Sequence, residues 1–181
     1  MKATDYSSFK SLQEIVDNLY DNRGKMSDHE RRRNDALKEC ASECESIKEF
    51  GVFQGSSLAV MTSTNPKKVV GVDLNLKPFK SIEHLFLKYI RENNIHFTML
   101  QCSSLDIQSV GEIDMLHIDS LHNAVHLTKE LELHGHLVNK YIAFHDVLQN
   151  NRELGKVVEK YISKNSEWKM KEHGTEGKCG F

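Results

Sequence analysis

The stretch that decides the fold is Ile113–His122, which reads IDMLHIDSLH. Its first half is mostly apolar, as is typical of a strand covered on both faces. The apolar positions are Ile113, Met115, Leu116 and Ile118. Asp119 ends this run, and a buried carboxylate without a partner is costly. Ligands of open α/β sheets bind at the carboxyl ends of the strands. The stretch therefore predicts a buried strand that ends in a functional site.

On both sides of this strand the chain alternates between short apolar runs and amphipathic helical segments. Further strands are predicted at 46–53, 67–74, 95–102 and 141–147, and helices at 58–62, 79–93, 123–138 and 152–164. Strands that alternate with helices indicate a doubly wound, mostly parallel α/β sheet. After the last helix, the segments 168–173 and 178–181 predict an antiparallel hairpin around two glycines.

The N-terminal part has a different pattern. Residues 8–46 read as helical, with a break at Asn22–Gly24 and a second helix that starts at Ser27 or Asp28. The charged run His29–Arg33 in this second helix is interpreted as a solvated face. We therefore divide the chain into a helical cap, 1–45, and an α/β domain, 46–181. The cap either covers a ligand or forms the contact surface of a homo-oligomer, and the sequence favours neither.

Composition narrows the class of protein. The chain has 181 residues, a net charge of −2, 39% hydrophobic and 28% charged residues. This balance is ordinary for a globular domain and gives no basic surface for nucleic acid. No apolar run approaches the roughly 20 residues of a membrane span, and the N-terminus lacks the apolar core of a signal peptide. We expect a cytoplasmic protein without nucleic-acid or membrane partners.

A glycine-containing turn follows the first strand of the α/β domain. The segment Glu49–Ser57 reads EFGVFQGSS, and its two glycines, Gly51 and Gly55, let a ligand approach the backbone closely. Phe53 stands where a dinucleotide-binding fingerprint has its middle glycine. Asp73 ends the next strand, where an acid can accept hydrogen bonds from ribose hydroxyls. The pattern predicts a nucleoside-containing cofactor, and a plain tight turn is the alternative.

Together, EFGVFQGSS, VVGVDL, IDMLHIDSLH and YIAFHDV resemble the class I S-adenosylmethionine-dependent methyltransferases. Within that class the chain is similar to the metal-dependent O-methyltransferases, which include catechol-type, macrolide-sugar and cephalosporin-hydroxylase-like proteins. The resemblance covers residues 46–181. It implies a seven-stranded, Rossmann-like sheet that closes with the antiparallel hairpin. It also implies methyl transfer from S-adenosylmethionine to a hydroxyl of a small molecule, with a sugar-like acceptor favoured over a catechol.

The resemblance also implies roles for individual residues. The cofactor would contact Glu49, Gly51, Gly55, Ser57, Asp73, Ser103, Ser104 and Asp119, with the two serines beside the adenine. A divalent metal, Mg²⁺ above all, would be bound by Asp119 and Asp146. His145 stands where the family usually has an acid, so it either ligates the ion or flanks it. His122 stands where the sugar-type enzymes have a basic histidine and would remove the proton of the hydroxyl.

The residues themselves support part of this interpretation and leave alternatives open. Neighbouring fourth and fifth strands would bring Asp119 and Asp146 together, where the two charges repel unless a cation or a shared proton intervenes. Asp119 can also be the N-cap of the next helix. His117 is read as a histidine satisfied in the core. If His117 and His145 join Asp119 instead, an iron-dependent hydroxylase is a second function. A non-catalytic S-adenosylmethionine-binding protein is a third.

Overall fold

The computed structural model describes residues 5–21, 28–107, 111–147 and 153–171. This part contains five strands and six α-helices. The strands are β1 Ser46–Phe50, β2 Lys68–Asp73, β3 His96–Gln101, β4 Ile113–Ile118 and β5 Val138–Phe144. The helices are α1 Leu12–Asp21, α2 Asp28–Ser42, α3 Ser56–Thr62, α4 Glu83–Glu92, α5 Ala124–His134 and α6 Glu153–Lys164. Short 3₁₀ turns, Phe79–Ser81 and Gly135–Leu137, precede α4 and follow α5.

The five strands form one parallel sheet in the order β3-β2-β1-β4-β5. The predicted α/β class and the predicted pairing of the fourth and fifth strands are confirmed. At the carboxyl edge, Phe50 pairs with Ile118, and Ile118 pairs with Phe144. The chain turns back across the sheet between β1 and β4, which is the switch point where ligands bind in open α/β sheets.

Apolar side chains on the two faces of the sheet form two cores. Along β4, Met115 packs with the core on the α1–α4 face, whereas Leu116 packs with the core on the α5–α6 face. This alternation is the period-two pattern of a strand that is buried on both sides. Helices α1 and α2 both pack against α3, so the N-terminal helices share the first core. Within the described residues, no helix is long and apolar enough to cross a bilayer.

The structure corrects several predicted boundaries. The first strand ends at Phe50 rather than at residue 53, because Gly51 adopts a φ of +84° and turns the chain out of the sheet. The predicted helix 123–138 ends at His134, and β5 begins at Val138, three residues before the predicted start at 141.

The predicted seven strands and antiparallel hairpin are not found in the described residues, where the sheet has five strands and is parallel throughout. Residues 168–171, which the prediction placed in the first strand of the hairpin, are not in a strand. The rest of the predicted hairpin, 172–181, lies outside the described residues, as does the predicted break at Asn22–Gly24.

Candidate active site

The turn after β1 lies directly against the end of β4. The Asp119 amide donates a hydrogen bond to the Phe50 carbonyl, 2.8 Å away. A side chain at Gly51 would overlap the Asp119 backbone, so glycine is required there for space as well as for its positive φ. This contact joins the glycine-containing turn to the acid at the tip of β4.

Asp73 fixes the same turn from the neighbouring strand. Its carboxylate accepts hydrogen bonds from the backbone amides of Phe53, at 2.7 Å, and Asn75, at 2.8 Å. Phe53 is 50% exposed and has a φ of +47°, a conformation that a bulky residue rarely adopts. Each carboxylate oxygen has a second lone pair, so Asp73 can still accept hydrogen bonds from a ligand.

Glu49 lies beneath the turn and is completely buried. Its Oε1 atom accepts hydrogen bonds from Ser57 Oγ, at 2.5 Å, and from His117 Nδ1, at 2.7 Å. Its Oε2 atom is buried and has no partner among the described residues. Burial raises the pKa of Glu49, and the contact with His117 opposes this rise. His117 is therefore a core histidine paired with Glu49 and takes no part in the group of residues around Asp119.

Four side chains at the ends of β4 and β5 form what we call the edge cluster: Asp119, His122, His145 and Asp146. Their candidate ligand atoms all lie within 4.8 Å of one another. His122 Nε2 lies 3.2 Å from Asp119 Oδ1 and 3.3 Å from Asp146 Oδ2. His145 Nδ1 lies 3.2 Å from Asp119 Oδ1 and 3.1 Å from Asp146 Oδ1. The structure thus brings together all four residues that the sequence suggested for the base and the metal.

Local backbone geometry explains how these side chains converge. The His145 amide donates to the Ile118 carbonyl, so pairing between the two strands continues one residue past β5. Asp146 then adopts a φ of +59°, which directs the chain away from the sheet. Asn123 is the N-cap of α5, since its side chain accepts from the amides of the second and third residues beyond it. The capping role considered for Asp119 is therefore filled by Asn123.

The charges of the edge cluster are internally balanced. Burial would raise the pKa of Asp119, but hydrogen bonds from His122 and His145 outweigh it and hold that pKa well below its usual range. The hydrogen bond to Asp119 raises the pKa of His122. Burial lowers the pKa of His145, but Asp119 and Asp146 outweigh it and raise that pKa overall. The two histidines thus offset the repulsion between two neighbouring carboxylates.

Arg33 reaches the edge cluster from α2. Its Nη1 atom lies 2.8 Å from His145 Nε2, and Asn34 Oδ1 accepts from its Nε and Nη2 atoms at 3.3 and 3.0 Å. The sequence reading assigned Arg33 to a solvated face and missed this contact. The available signal was helical spacing, because Arg33 lies one turn before the buried Leu37. Arg33 also lines an apolar cavity of about 270 Å³ beside β5.

A second group of polar side chains, which we call the inner cluster, surrounds Glu130 on α5. The Oε1 atom of Glu130 accepts from Ser104 Oγ at 2.5 Å and Ser120 Oγ at 2.7 Å, and lies 3.2 Å from His126 Nε2. His134 Nε2 contacts the Ser104 carbonyl at 2.7 Å. The cluster comprises Ser104, Ser120, His126, Glu130 and His134. It ties the loops after β3 and β4 to α5.

The inner cluster bears on the predicted adenine contacts. Ser104 is only 6% exposed, and its hydroxyl is bonded within the protein. Ser103 is partly exposed, and its hydroxyl accepts from the Leu105 amide. A role for these serines beside a cofactor stays a prediction. Sequence reasoning did not anticipate the apolar side chains exposed along this edge, which are Phe53 at 50%, Leu74 at 71%, Leu121 at 62% and Val125 at 66%.

Comparison with known proteins supports the fold. No protein-family model matches this sequence, and a search of curated proteins finds no match either. Among solved structures, the chain is similar to the N-methyltransferase NodS from Bradyrhizobium japonicum WM9, bound to S-adenosyl-L-homocysteine. The TM-score is 0.62 at 11% identity, covering 94% of this chain and 96% of NodS.

Two O-methyltransferases are similar to a comparable degree. The Bacillus cereus enzyme in complex with S-adenosylhomocysteine gives a TM-score of 0.61 at 14% identity, covering 97% of this chain and 91% of that one. TomG from Streptomyces achromogenes, in complex with S-adenosylmethionine, gives 0.57 at 13% identity, covering 96% and 87%. The chain therefore has the α/β Rossmann-like fold of these methyltransferases.

Proposed function

We propose that this protein is a methyltransferase that moves the methyl group of S-adenosylmethionine to a hydroxyl of a small molecule. The observation that carries the proposal is the contact between Gly51 and the Asp119 backbone. It places a glycine-containing turn, suited to close approach by a ligand, beside a cluster of acids and histidines. Proteins of the same fold that were crystallised with S-adenosylmethionine or its product support this choice of cofactor.

The residues around the turn fit this cofactor. Gly51 and Gly55 allow the turn its positive φ angles of +84° and +79°, and Asp73 can accept hydrogen bonds from ribose hydroxyls. Glu49 offers a buried carboxylate oxygen that lacks a partner among the described residues, and a cationic amino group would provide one. Ser57 holds the other oxygen of that carboxylate. When bound, S-adenosylmethionine supplies a methyl group activated by an adjacent sulfonium.

The edge cluster fits a divalent metal ion. Asp119 and Asp146 provide the hard oxygen ligands that Mg²⁺ prefers, and the histidines would also suit softer ions. Such an ion would lower the pKa of a hydroxyl bound beside it. Asp119 and Asp146 would hold the ion, and Asp119 would also lie next to the cofactor because it contacts Gly51.

We assign the role of base to His122. Its side chain is 38% exposed, so an acceptor can reach it. The neighbouring carboxylates raise its pKa, and a cation bound between them would withdraw that effect and favour the unprotonated ring. His122 could then accept the proton of the hydroxyl. We expect a small-molecule acceptor rather than a nucleic acid, because the chain has no excess of basic residues.

The alternatives predict different behaviour. The iron-dependent hydroxylase required His117 beside Asp119, but His117 is bound to Glu49. The structures compared above give that function no support. A non-catalytic protein would bind S-adenosylmethionine and transfer nothing, so only a turnover assay separates it from the proposed enzyme.

The first test is calorimetric titration with S-adenosylhomocysteine. We expect one site per chain and at least about tenfold weaker binding by Asp73→Asn, since a hydrogen bond to a charged group contributes roughly 1.5–3 kcal/mol. Asp119→Ala should abolish Mg²⁺ binding and leave the affinity for S-adenosylhomocysteine largely intact. Asp106→Asn, in an exposed loop, is the matched control. Absence of binding by the wild-type protein would reject the proposed function.

The second test is transfer from methyl-labelled S-adenosylmethionine to a panel of small sugars, phenols and hydroxy acids, with and without Mg²⁺. His122→Gln should lower kcat by about 10²- to 10⁴-fold, the usual contribution of a general base. Its affinity for S-adenosylhomocysteine should stay unchanged. Turnover that His122→Gln retains in full would remove His122 from the mechanism.

A further inference from the structure

The contact between Arg33 and His145 restricts where the hydrogen of the His145 ring can lie. A guanidinium has only donors and stays protonated in proteins. At 2.8 Å from Arg33 Nη1, His145 Nε2 must therefore be the acceptor. Asp119 and Asp146 favour a protonated ring, but the guanidinium at Nε2 opposes it. A neutral imidazole has one acceptor nitrogen and one N–H, so the hydrogen of His145 is on Nδ1.

The surroundings of Nδ1 agree with this assignment. Its two nearest partners are carboxylate oxygens of Asp119 and Asp146, at 3.2 and 3.1 Å, and both can only accept from it. Among the described residues, Nδ1 has no partner other than these two oxygens. A nitrogen that carries a hydrogen has no lone pair for a metal ion. While Arg33 stays in place, His145 cannot ligate through Nδ1.

Arg33 is held firmly enough to impose this arrangement. Its Nε and Nη2 atoms both donate to Oδ1 of Asn34, whose side chain is buried with 1% exposure. Helix α2 is anchored in the core by Leu37 and Ala41, one and two turns farther along. The arginine is thus fixed at both ends of its guanidinium, by a buried amide and by the histidine.

We propose that Arg33 is a positioning residue that keeps His145 from ligating a metal ion and thereby favours Mg²⁺ over softer divalent ions. Asp119 and Asp146 then supply oxygen ligands, which suit Mg²⁺. With Arg33 removed, the hydrogen can move to Nε2 and expose a nitrogen ligand at Nδ1. Imidazole nitrogen suits Co²⁺ and Zn²⁺. The inference rests on the metal site of the proposed function and identifies Arg33 as the residue that determines which ion this site prefers.

The test is titration of the protein with each metal alone, Mg²⁺ or Co²⁺, by calorimetry, with Co²⁺ also followed by visible absorption. Arg33→Met keeps much of the side-chain length but donates nothing. It should bind Co²⁺ at least about tenfold more tightly than wild type. This factor is typical of the change in metal affinity when a group that orients a metal ligand is altered. Its affinity for Mg²⁺ should change less than about threefold. Arg33→Lys, which keeps a donor, should behave like wild type.

Two further variants make the result specific. In Arg33→Met combined with His145→Gln, the gain in Co²⁺ affinity and its absorption bands should both disappear. Arg91→Met removes an exposed arginine on α4 and should leave both affinities unchanged. Unchanged Co²⁺ affinity in Arg33→Met, a gain that survives His145→Gln, or loss of wild-type Mg²⁺ binding on His145→Gln would each overturn the proposal. So would a wild-type protein that binds no divalent ion.

A measurement on the unmodified chain covers the case in which Arg33→Met does not fold. Long-range ¹H–¹⁵N spectra of the metal-free wild-type protein should show His145 with hydrogen on Nδ1 and none on Nε2. Hydrogen on Nε2 would overturn the proposal. S-adenosylhomocysteine binding is measured on the same samples. Its failure would count against the proposed function, whereas the metal titrations, made without it, decide the role of Arg33.

Discussion

The edge cluster and the inner cluster contain the same kinds of residues, but their charges are satisfied in different ways. At the edge, two carboxylates lie close together and are balanced by two histidines, one of them 38% exposed. In the inner cluster a single, fully buried carboxylate receives two serine hydroxyls and lies beside a histidine. The inner cluster is closed off from solvent around its one carboxylate, whereas the edge cluster can accept a cation or an acceptor from solvent.

The two clusters also differ in how they shift the pKa of a histidine. His122 has its pKa raised, chiefly by its hydrogen bond to Asp119. His134 has its pKa lowered, chiefly by burial, although its contact with the Ser104 carbonyl opposes this change. A histidine bonded to a carboxylate is stabilised as a cation, whereas burial stabilises a histidine in its neutral form. The two clusters therefore respond to pH in opposite directions.

The largest expected effect comes from Gly51→Ala, which breaks the backbone contact that positions Asp119. A Cβ at position 51 would overlap the Asp119 backbone, and the alanine would also have to adopt a positive φ. We expect a loss of about 3 kcal/mol in the free energy of unfolding, the sum of a strained φ and an overpacked contact. Urea unfolding followed by circular dichroism measures it.

Gly111→Ala is the matched control for Gly51→Ala. Gly111 has a φ of +76°, and a Cβ there would meet nothing within 4 Å. Only the strain of the positive φ applies, so we expect a loss of about 1 kcal/mol. Equal losses in the two variants would show that the close contact with Asp119 does not constrain the turn.

The next largest effect is the difference in unfolding free energy between Glu130→Ala and Asp119→Ala, measured in the metal-free protein. It compares the two clusters directly. Removing Glu130 leaves the buried hydroxyl of Ser104 and the partly buried hydroxyl of Ser120 without their acceptor, which should cost about 2 kcal/mol of unfolding free energy. Removing Asp119 also relieves its repulsion with Asp146, so it should cost less than removing Glu130. Glu132→Ala, exposed on the same helix as Glu130, should stay within about 0.5 kcal/mol of wild type. A larger loss in Asp119→Ala would reverse the comparison.

Some residues of the site could be predicted from the sequence and others could not, depending on whether a strand end or a helix side chain places them. Asp119, His145 and Asp146 follow apolar strands, and parallel strands bring their carboxyl ends to one edge, so the periodicity of the chain predicted their meeting. The neighbouring positions of β4 and β5 were also predicted and are confirmed, whereas the order of the whole sheet was not predicted. The predicted hairpin rested on the family resemblance and on two glycines in a short segment, and glycine spacing is a weak signal.

Arg33 and Glu130 could not be found in the same way. Each lies on a helix and acts through its side chain on a residue far along the chain, 112 positions away for Arg33 and 26 for Glu130. Such a contact depends on the orientation of the helix about its own axis relative to the sheet. The apolar periodicity of the helix defines this orientation only to within part of a turn. Charge alone suggested exposure for Arg33, because unpaired charged residues are seldom buried, and Glu130 carried no signal of its own.

The smallest effect is the pH dependence of stability, and it tests the opposite shifts of His122 and His134. The pKa of His134 in the folded protein is below its ordinary value of 6.5. Its contribution to stability is therefore complete above pH 6.5 and is lost as the pH falls through the folded pKa. The pKa of His122 is above 6.5, so its contribution is complete below pH 6.5 and is lost as the pH rises through the folded pKa.

Melting temperatures of the metal-free protein between about pH 5 and pH 9 separate the two contributions, because histidine titration falls in this range. His134→Gln should flatten the acid side of the profile, and His122→Gln should flatten the alkaline side. His84→Gln, exposed on α4, should leave the shape unchanged. Saturating Mg²⁺ should remove the alkaline dependence but not the acid one, because the edge cluster is the group of acids and histidines suited to an ion among the described residues. A profile in which Mg²⁺ changes both sides equally would mean that the two clusters are not independent.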